Sequence, residues 1–326
     1  LMKMNLTEIL SLKSLKIGYG SGRNENLLLP PLNACANKGE LIAVIGKNGI
    51  GKSTLLRTLA GLQPSLGGDI FYSSKNIRDY SRKDLAQKIG YISTEIVKVS
   101  NMRVYDLVAL GRFPYTNWIG KIDLKNHEVI TDAIEKTGMS TLSERFISEL
   151  SDGERQKAMI ARILAQDTGI MVMDEPTAFL DIGSKFEILH LMHVLSQNGG
   201  KTIIFSTHDL NVAMSQADKI WLILDNRLLE GAPEDLMIKG AFDHLFDSSA
   251  VQFNSEHGTY SFRSEDRGAI NVTGDGILRH WTEKAISRAG FSVSEEESAP
   301  YLRVPSGNNS NWQLMAGSSV WEFASV

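Results

Sequence analysis

Leu41-Ile42-Ala43-Val44-Ile45-Gly46-Lys47-Asn48-Gly49-Ile50-Gly51-Lys52-Ser53-Thr54-Leu55-Leu56 is the stretch on which the fold turns. Its first five residues are short, continuous and apolar, as in a strand buried on both faces. The next nine satisfy G-x-x-x-x-G-K-[ST], and Ser53-Thr54-Leu55-Leu56 opens a helix, so the motif sits in the strand–loop–helix context it requires. Glycines at 46, 49 and 51 let the backbone curl until successive N–H groups point inward. The helix N-terminus adds partial positive charge, and Lys52 supplies an ammonium to the β- and γ-phosphates of a nucleotide. Ser53 offers a hydroxyl to Mg²⁺, and Asn48 and Thr54 complete the loop.

Working outward, two more apolar runs read as buried strands: Ile170-Met171-Val172-Met173 and Thr202-Ile203-Ile204-Phe205-Ser206. Helical patterns flank them over Glu154 to Gln166 and Ser184 to Ser196. Strands alternating with helices predict an α/β sheet with parallel strands. Ile9 to Ile17 reads as an opening strand ended by Gly18 and Gly20. Ile119 to Leu150 looks mainly helical, and a helical insert is expected over about 95–165. After Phe246 the texture changes. Short strand-like pieces (Thr259 to Arg263, Ala269 to Thr273, Tyr301 to Val304, Trp312 to Met315, Val320 to Ala324) surround one helix, Gly276 to Ala289. The expected division is a domain over 1–246 and a small accessory α+β domain over 247–326. Trp281, Trp312 and Trp321 are expected in the core of the latter.

Composition excludes several classes. Hydrophobic residues make up 42% and charged residues 22% of the 326, an ordinary globular balance, and no polybasic patch advertises nucleic acid or anionic lipid. The stretch from Asp247 to Val326 holds 10 acidic and 6 basic residues, which is the whole of the net charge of −4. Cys35 is the single cysteine and cannot form an intramolecular disulfide, which fits a reducing compartment. No apolar run reaches the roughly 18–20 residues needed to span a bilayer. Nor does the N-terminus, interrupted by Lys3, Glu8 and Lys13, read as a secretory signal. Membrane work is expected to go through a partner.

Further residues gain meaning from the phosphate loop. Asp174 and Glu175 end a buried strand, where two carboxylates are costly without a cation. Asp174 can reach Mg²⁺ through its hydration shell, and Glu175 can accept a proton from an attacking water. His208, after Ser206-Thr207, is placed to hydrogen-bond a γ-phosphate, and Tyr19 to stack on adenine.

Leu150-Ser151-Asp152-Gly153-Glu154-Arg155-Gln156 resembles the signature motif of ATP-binding cassette (ABC) proteins, and the whole series then matches that superfamily in order from about Ile9 to Phe246. The resemblance implies a P-loop NTPase cassette of α/β class, a mixed-sheet core with a helical insert, followed by the α+β appendage. It makes Tyr19 the adenine-stacking aromatic, Gly46 to Thr54 the Walker A loop, Asp174 and Glu175 the Walker B pair, Ala178-Phe179-Leu180-Asp181 the D-loop and His208 the switch histidine. Ser151 and Gly153 would cover the nucleotide held by an opposite subunit, so the expected active form is a head-to-tail homodimer with ATP and Mg²⁺.

Asp106 to Tyr115, reading Asp-Leu-Val-Ala-Leu-Gly-Arg-Phe-Pro-Tyr, resembles importer ATPases for iron–siderophore, haem and cobalamin. That similarity implies a permease docked around Ala109 to Tyr115 and a periplasmic or surface binding protein engaged indirectly. It also implies a peripheral position on the cytoplasmic face of the membrane, with no nucleic-acid partner. The alternatives are a soluble clamp and an ATP-dependent regulatory switch. Two departures stand out. Gly90-Tyr91-Ile92-Ser93-Thr94-Glu95 lacks the family's glutamine, so the metal contact falls to Thr94, or to Glu95 in the shifted register. Asp152 replaces the first signature glycine and is tolerable if it points away from phosphate.

Overall fold

Leu41–Gly46 is a strand buried at every residue, because its side chains divide between two cores. Leu41, Ala43 and Ile45 enter one cluster with Met171, Met173, Ile203 and Phe205. Ile42 and Val44 enter the other with Ile170, Val172, Ile204 and Trp221. This period-two division is what a sheet covered on both faces demands. Each aliphatic side chain so buried contributes about 1.5–3 kcal/mol.

The coordinates, a computed structural model, describe residues 7–20, 22–94, 101–116, 122–245, 251–254, 259–262, 267–294, 300–305 and 311–325. The six-stranded sheet runs in the order Arg227–Gly231, Lys219–Leu224, Leu41–Gly46, Thr202–Ser206, Ile170–Met173, Ile89–Ile92. Every neighbouring pair is parallel except the terminal hairpin Lys219–Leu224/Arg227–Gly231. Helix Lys52–Leu59 covers one face through Leu55, Leu56 and Leu59. Helix Ile182–Gln197 covers the other through Ile188, Leu189 and Met192.

The opening strand, Glu8–Lys16, does not join this sheet. It lies between Leu32–Asn37 and Gly67–Tyr72 in a separate antiparallel sheet. Its apolar face, with Leu10, Leu12 and Leu15, packs into the same cluster as the phosphate-loop helix. Ile89–Ile92, a four-residue edge strand, was hidden in the sequence because it is too short for a period to show.

The helical insert is less regular than expected. Helices Val104–Ala109, Leu124–Lys136 and Asp152–Ala165 pack together, but between Lys136 and Leu150 the chain makes only short 3-10 turns, Ser140–Leu142 and Ile147–Glu149, separated by turns and bends. Gly111 lies in a 3-10 segment, Leu110–Tyr115, that continues Val104–Ala109. A Cβ there would sit 2.1 Å from the Arg162 carbonyl oxygen, so glycine permits a close approach to the neighbouring helix.

Two units partition the chain: Leu1–Asp247 with Phe253–Thr259, and Ser248–Gln252 with Tyr260–Val326. The junction at Phe246 and Asp247 lies outside the described residues. In the second unit the sheet order is Ser292–Val293, Ala269–Thr273, Tyr301–Arg303, Trp312–Ala316, Ser319–Phe323, with helix Gly276–Arg288 against it. Its core is small: Val272, Ile286, Leu302 and Val304. Trp312 packs there and donates from Nε1 to Thr282 Oγ1 at 2.9 Å. Trp281 and Trp321 do not join the core, being 62% and 47% exposed. Thr282 and Ile286, four apart, turn to the sheet, which leaves Trp281 and Ile277 on the outer face of the helix. Trp321 belongs to an edge strand exposed at every position.

Candidate functional site

The phosphate loop is shaped by backbone that only glycine adopts without strain: φ is +78° at Gly49 and +113° at Gly51. Gly51 is the N-cap of helix Lys52–Leu59 and no side chain caps it, which leaves the first-turn N–H groups to a ligand. Gly46 serves packing, since a Cβ would meet the Ile223 carbonyl oxygen at 2.8 Å and Ile50 Cγ2 at 3.0 Å. Lys52, only 6% exposed, donates from Nζ to the carbonyls of Gly46 (2.8 Å) and Lys47 (3.2 Å). Burial holds its pKa below the ordinary lysine value, while the nearby Glu175 and Asp174 oppose the shift. Tyr19, half-exposed, meets Thr54 Oγ1 through its hydroxyl at 2.8 Å.

A cleft of about 540 Å³ opens here, lined by Tyr19, Leu28, Asn48, Gly49, Gly51 to Thr54, Glu175 and His208. Four segments separated in sequence, around Tyr19 and Leu28, Asn48 to Thr54, Glu175 and His208, thus line one cleft. The fit to a triphosphate rests on this chain's own atoms: positive-φ glycines, an uncapped helix start and a buried ammonium held by two carbonyls that a phosphate can replace.

Asp174 is 3% exposed and takes a hydrogen bond from Ser206 Oγ (2.7 Å) on the adjoining strand. Glu175 has φ +47°, uncommon for a residue with a Cβ, and its N–H donates to the same Ser206 Oγ at 2.8 Å. His208 Nδ1 stands 3.7 Å from Glu175 Oε2. Thr94 Oγ1 donates to the Asp174 backbone carbonyl at 3.1 Å, so its proton is directed at the acidic turn. Glu95 lies outside the described residues. Beyond His208, Asp209 caps helix Leu210–Gln216 through Val212 N–H (3.2 Å) and pairs with Lys185.

Ser151, Gly153 and Asp181 are not among the residues lining that cleft. Ser151 caps helix Asp152–Ala165: its Oγ accepts from Glu154 N–H (3.3 Å), while Glu154 Oε2 accepts from Ser151 N–H (2.8 Å) and Oγ (2.9 Å). These bonds, the backbone one foremost, hold the Glu154 carboxyl below its ordinary range. Asp152 accepts from Arg155 Nη1 at 2.7 Å, and Arg155 Nη2 reaches the Leu150 carbonyl at 2.9 Å. The carboxylate that replaces a glycine is therefore matched by its own arginine. Gly153 is required for packing, because a Cβ would stand 2.5 Å from Ser184 Oγ. Asp181 caps helix Ile182–Gln197, turning Oδ1 to Ser184 N–H (3.0 Å) and Oδ2 to Ser184 Oγ (2.6 Å). A second, small cavity of about 40 Å³ joins the two regions, lined by Thr94, Asp152, Arg155, Glu175 and Phe179 among others.

Sequence reasoning did not single out Leu28 on the cleft wall or Ser206 beneath the acidic pair. Leu28 lies in an irregular segment without a motif. Ser206 reads as the end of a strand leading to His208, and nothing in one dimension shows which strand lies beside it. In Leu110–Tyr115 the structure separates two kinds of residue. Arg112 is buried, with Nε on Asn126 Oδ1 and Nη1 on the Ala165 carbonyl (both 2.7 Å) and its guanidinium 3.8 Å from the Tyr115 ring. Leu110 and Phe113 face outward, 50% and 75% exposed.

With this geometry in view, comparison with known proteins is informative. Residues 29–178 match the ABC transporter family model, and residues 267–326 match the iron ABC transporter C-terminal domain. The petrobactin import ATP-binding protein FpuD of Bacillus anthracis is 37% identical over 233 residues, covering 71% of this chain and 84% of the relative. The ferric enterobactin transport ATP-binding protein FepC of Escherichia coli (strain K12) is 32% identical over 238 residues, covering 72% and 85%. Among solved structures, the ADP conformation of an ATP-binding cassette of an ABC transporter aligns with a TM-score of 0.63 at 25% identity, over 72% of this chain and 94% of that one.

Proposed function

The chain belongs to the family of ABC transporter ATP-binding proteins, and from that premise we propose that it is the ATP-hydrolysing subunit of an importer for iron chelates such as siderophore complexes. Haem and cobalamin carriers share the Ala109–Tyr115 pattern, but the match of residues 267–326 to an iron-transporter domain favours iron. The observation that carries the ATPase reading is the cleft itself, where Lys52 and the glycine loop face Glu175 and His208.

ATP binds as substrate, with its phosphates against the loop amides from Asn48 to Thr54. Lys52 exchanges its bonds to the Gly46 and Lys47 carbonyls for phosphate oxygens. Tyr19 stacks on adenine. Ser53, Asp174 and Thr94 are the residues that would hold Mg²⁺, which would supply positive charge to the phosphates. Glu175 takes a proton from the water as the water oxygen bonds to the γ-phosphorus; the bond to the β-bridging oxygen breaks and ADP leaves. His208 donates to the γ-phosphate. No covalent intermediate is needed.

The working form is a head-to-tail homodimer in which the partner's signature segment, with Ser151 and Gly153, closes over the γ-phosphate and Asp181 anchors the loop between the two sites. Residues 1–246 form the cassette and 247–326 an accessory domain. Outward-facing Leu110 and Phe113 meet the permease at the cytoplasmic face of the membrane, and a binding protein is engaged only through that permease. No helix among the described residues is long and apolar enough to cross a membrane.

The test is to purify the tagged chain from detergent-solubilised membranes and identify what accompanies it. A multi-span permease is expected, lost on Phe113→Asp. Recovery of the chain alone, or with nucleic acid, would count against import and favour the clamp.

A further inference from the structure

We propose that Ser206 is a positioning residue for hydrolysis: one buried hydroxyl fixes both the carboxylate that serves the metal and the carboxylate that serves the water. The proposal rests on the ATPase reading above. Ser206 ends strand Thr202–Ser206, two residues before His208, and is completely buried. Its hydroxyl has one proton and two lone pairs. The proton goes to Asp174 Oδ1 at 2.7 Å, and a lone pair receives the Glu175 N–H at 2.8 Å.

The geometry explains why one atom bears on both residues. Strands Thr202–Ser206 and Ile170–Met173 are parallel neighbours, in register with Phe205 opposite Met173, so the next residue on one strand reaches the turn that leaves the other. Glu175 at that turn sits at φ +47°, a conformation that persists only where surroundings hold it. The Ser206 bond to its N–H is such a hold. Thr94 braces the same turn from the other side, through the Asp174 carbonyl. Donation to Oδ1 fixes the orientation of the Asp174 carboxylate, the group that would serve Mg²⁺. The chain leaving the strand at Ser206 reaches His208 two residues later, so the residue that holds the acidic pair is a near neighbour in sequence of the histidine that faces the γ-phosphate.

Ser206→Ala removes both bonds with little change of volume, and Ser206→Cys keeps a weak donor of similar size. A role in positioning moves kcat, whereas a role in packing moves stability or nucleotide affinity. For Ser206→Ala we expect kcat to fall at least about tenfold while KM for ATP stays within about twofold. As a readout independent of turnover, ATP-bound dimer should accumulate in gel filtration with MgATP, because binding persists while cleavage is slow. Ser206→Cys should lie between alanine and wild type, and it carries the same test if the alanine variant does not fold. A kcat within about twofold of wild type, or equal losses of kcat and ATP affinity without a trapped dimer, would overturn the proposal. Wild type and Glu175→Gln run in parallel separate the two ideas: an inactive wild type defeats the ATPase reading, and an active wild type with an unaffected Ser206→Ala defeats this one.

Discussion

Two helices begin beside the chemistry, and they begin in opposite ways. Lys52–Leu59 starts from Gly51 in a left-handed conformation without a side-chain cap. Asp152–Ala165 starts from Ser151 with both halves of a capping box made by its own residues. The first leaves polar donors unsatisfied until a ligand arrives, so it binds anions readily in a single chain. The second has the Ser151 and Glu154 N–H groups satisfied by the capping box, and two carboxylates, Asp152 and Glu154, sit in its first turn. It is a weak anion site alone and must exchange internal bonds for external ones. For the head-to-tail dimer proposed above, the expected order is nucleotide binding first and closure second.

The sharpest break of that comparison is Glu175→Gln, which leaves both helix starts intact. Turnover should fall by about 10²–10⁴, the usual share of a general base, while MgATP binding survives and dimer accumulates. Unimpaired phosphate release would defeat the role given to Glu175. Next comes Lys52→Ala at the open start. A hydrogen bond to a charged group is worth about 1.5–3 kcal/mol, so nucleotide affinity should drop roughly ten- to a hundredfold in equilibrium binding.

At the capped start the effects are smaller and fall on stability. Gly153→Ala forces a methyl onto Ser184 and should cost about 1–3 kcal/mol in denaturant unfolding, relieved in part by Ser184→Gly. Ser151→Ala removes the cap for about 1 kcal/mol. The capping box also sets a sign for pH. Because the folded Glu154 carboxyl titrates below its ordinary value, its contribution is present at neutral pH and fades as pH falls through the lowered folded value. Glu154→Gln should flatten that part of the acid-stability profile, and an unchanged profile would show that the cap does not matter. The smallest effect is alkaline: Lys52, depressed by burial, loses its proton at lower pH than an exposed lysine, so ATP affinity should weaken as pH rises, before exposed lysines titrate, as equilibrium binding across alkaline pH would show.

Much of this protein is legible in one dimension, and for definite reasons. Gly49, Gly51 and Lys52 were readable because a phosphate loop is contiguous and its backbone conformation demands glycine. The buried strands at 41–46, 170–173 and 202–206 showed as unbroken apolar runs because both faces are covered. The opening strand was visible as a strand, yet its sheet was not, since an antiparallel partner at Leu32–Asn37 leaves no mark on Glu8–Lys16 itself. Trp281 and Trp321 misled because tryptophan's size favours burial only where a domain has interior to offer, and among the described residues of the C-terminal unit the buried core is Val272, Ile286, Leu302 and Val304. Gly111 and Arg112 carried a family resemblance, but only packing shows them joined to helix Asp152–Ala165 while Phe113 is left outside.

The amino-acid order alone determined the phosphate cradle, the acidic pair and the identity of the family, because each is written in neighbouring residues whose local conformation follows from sterics. Only the tertiary structure decided that Ser206 holds Asp174 and Glu175, that Arg155 answers Asp152, and that Lys52 waits on two carbonyls opposite Glu175 and His208. Hydrogen bonds act over about 3 Å, and which groups come that close is set by strand order and helix packing, which a linear sequence does not display.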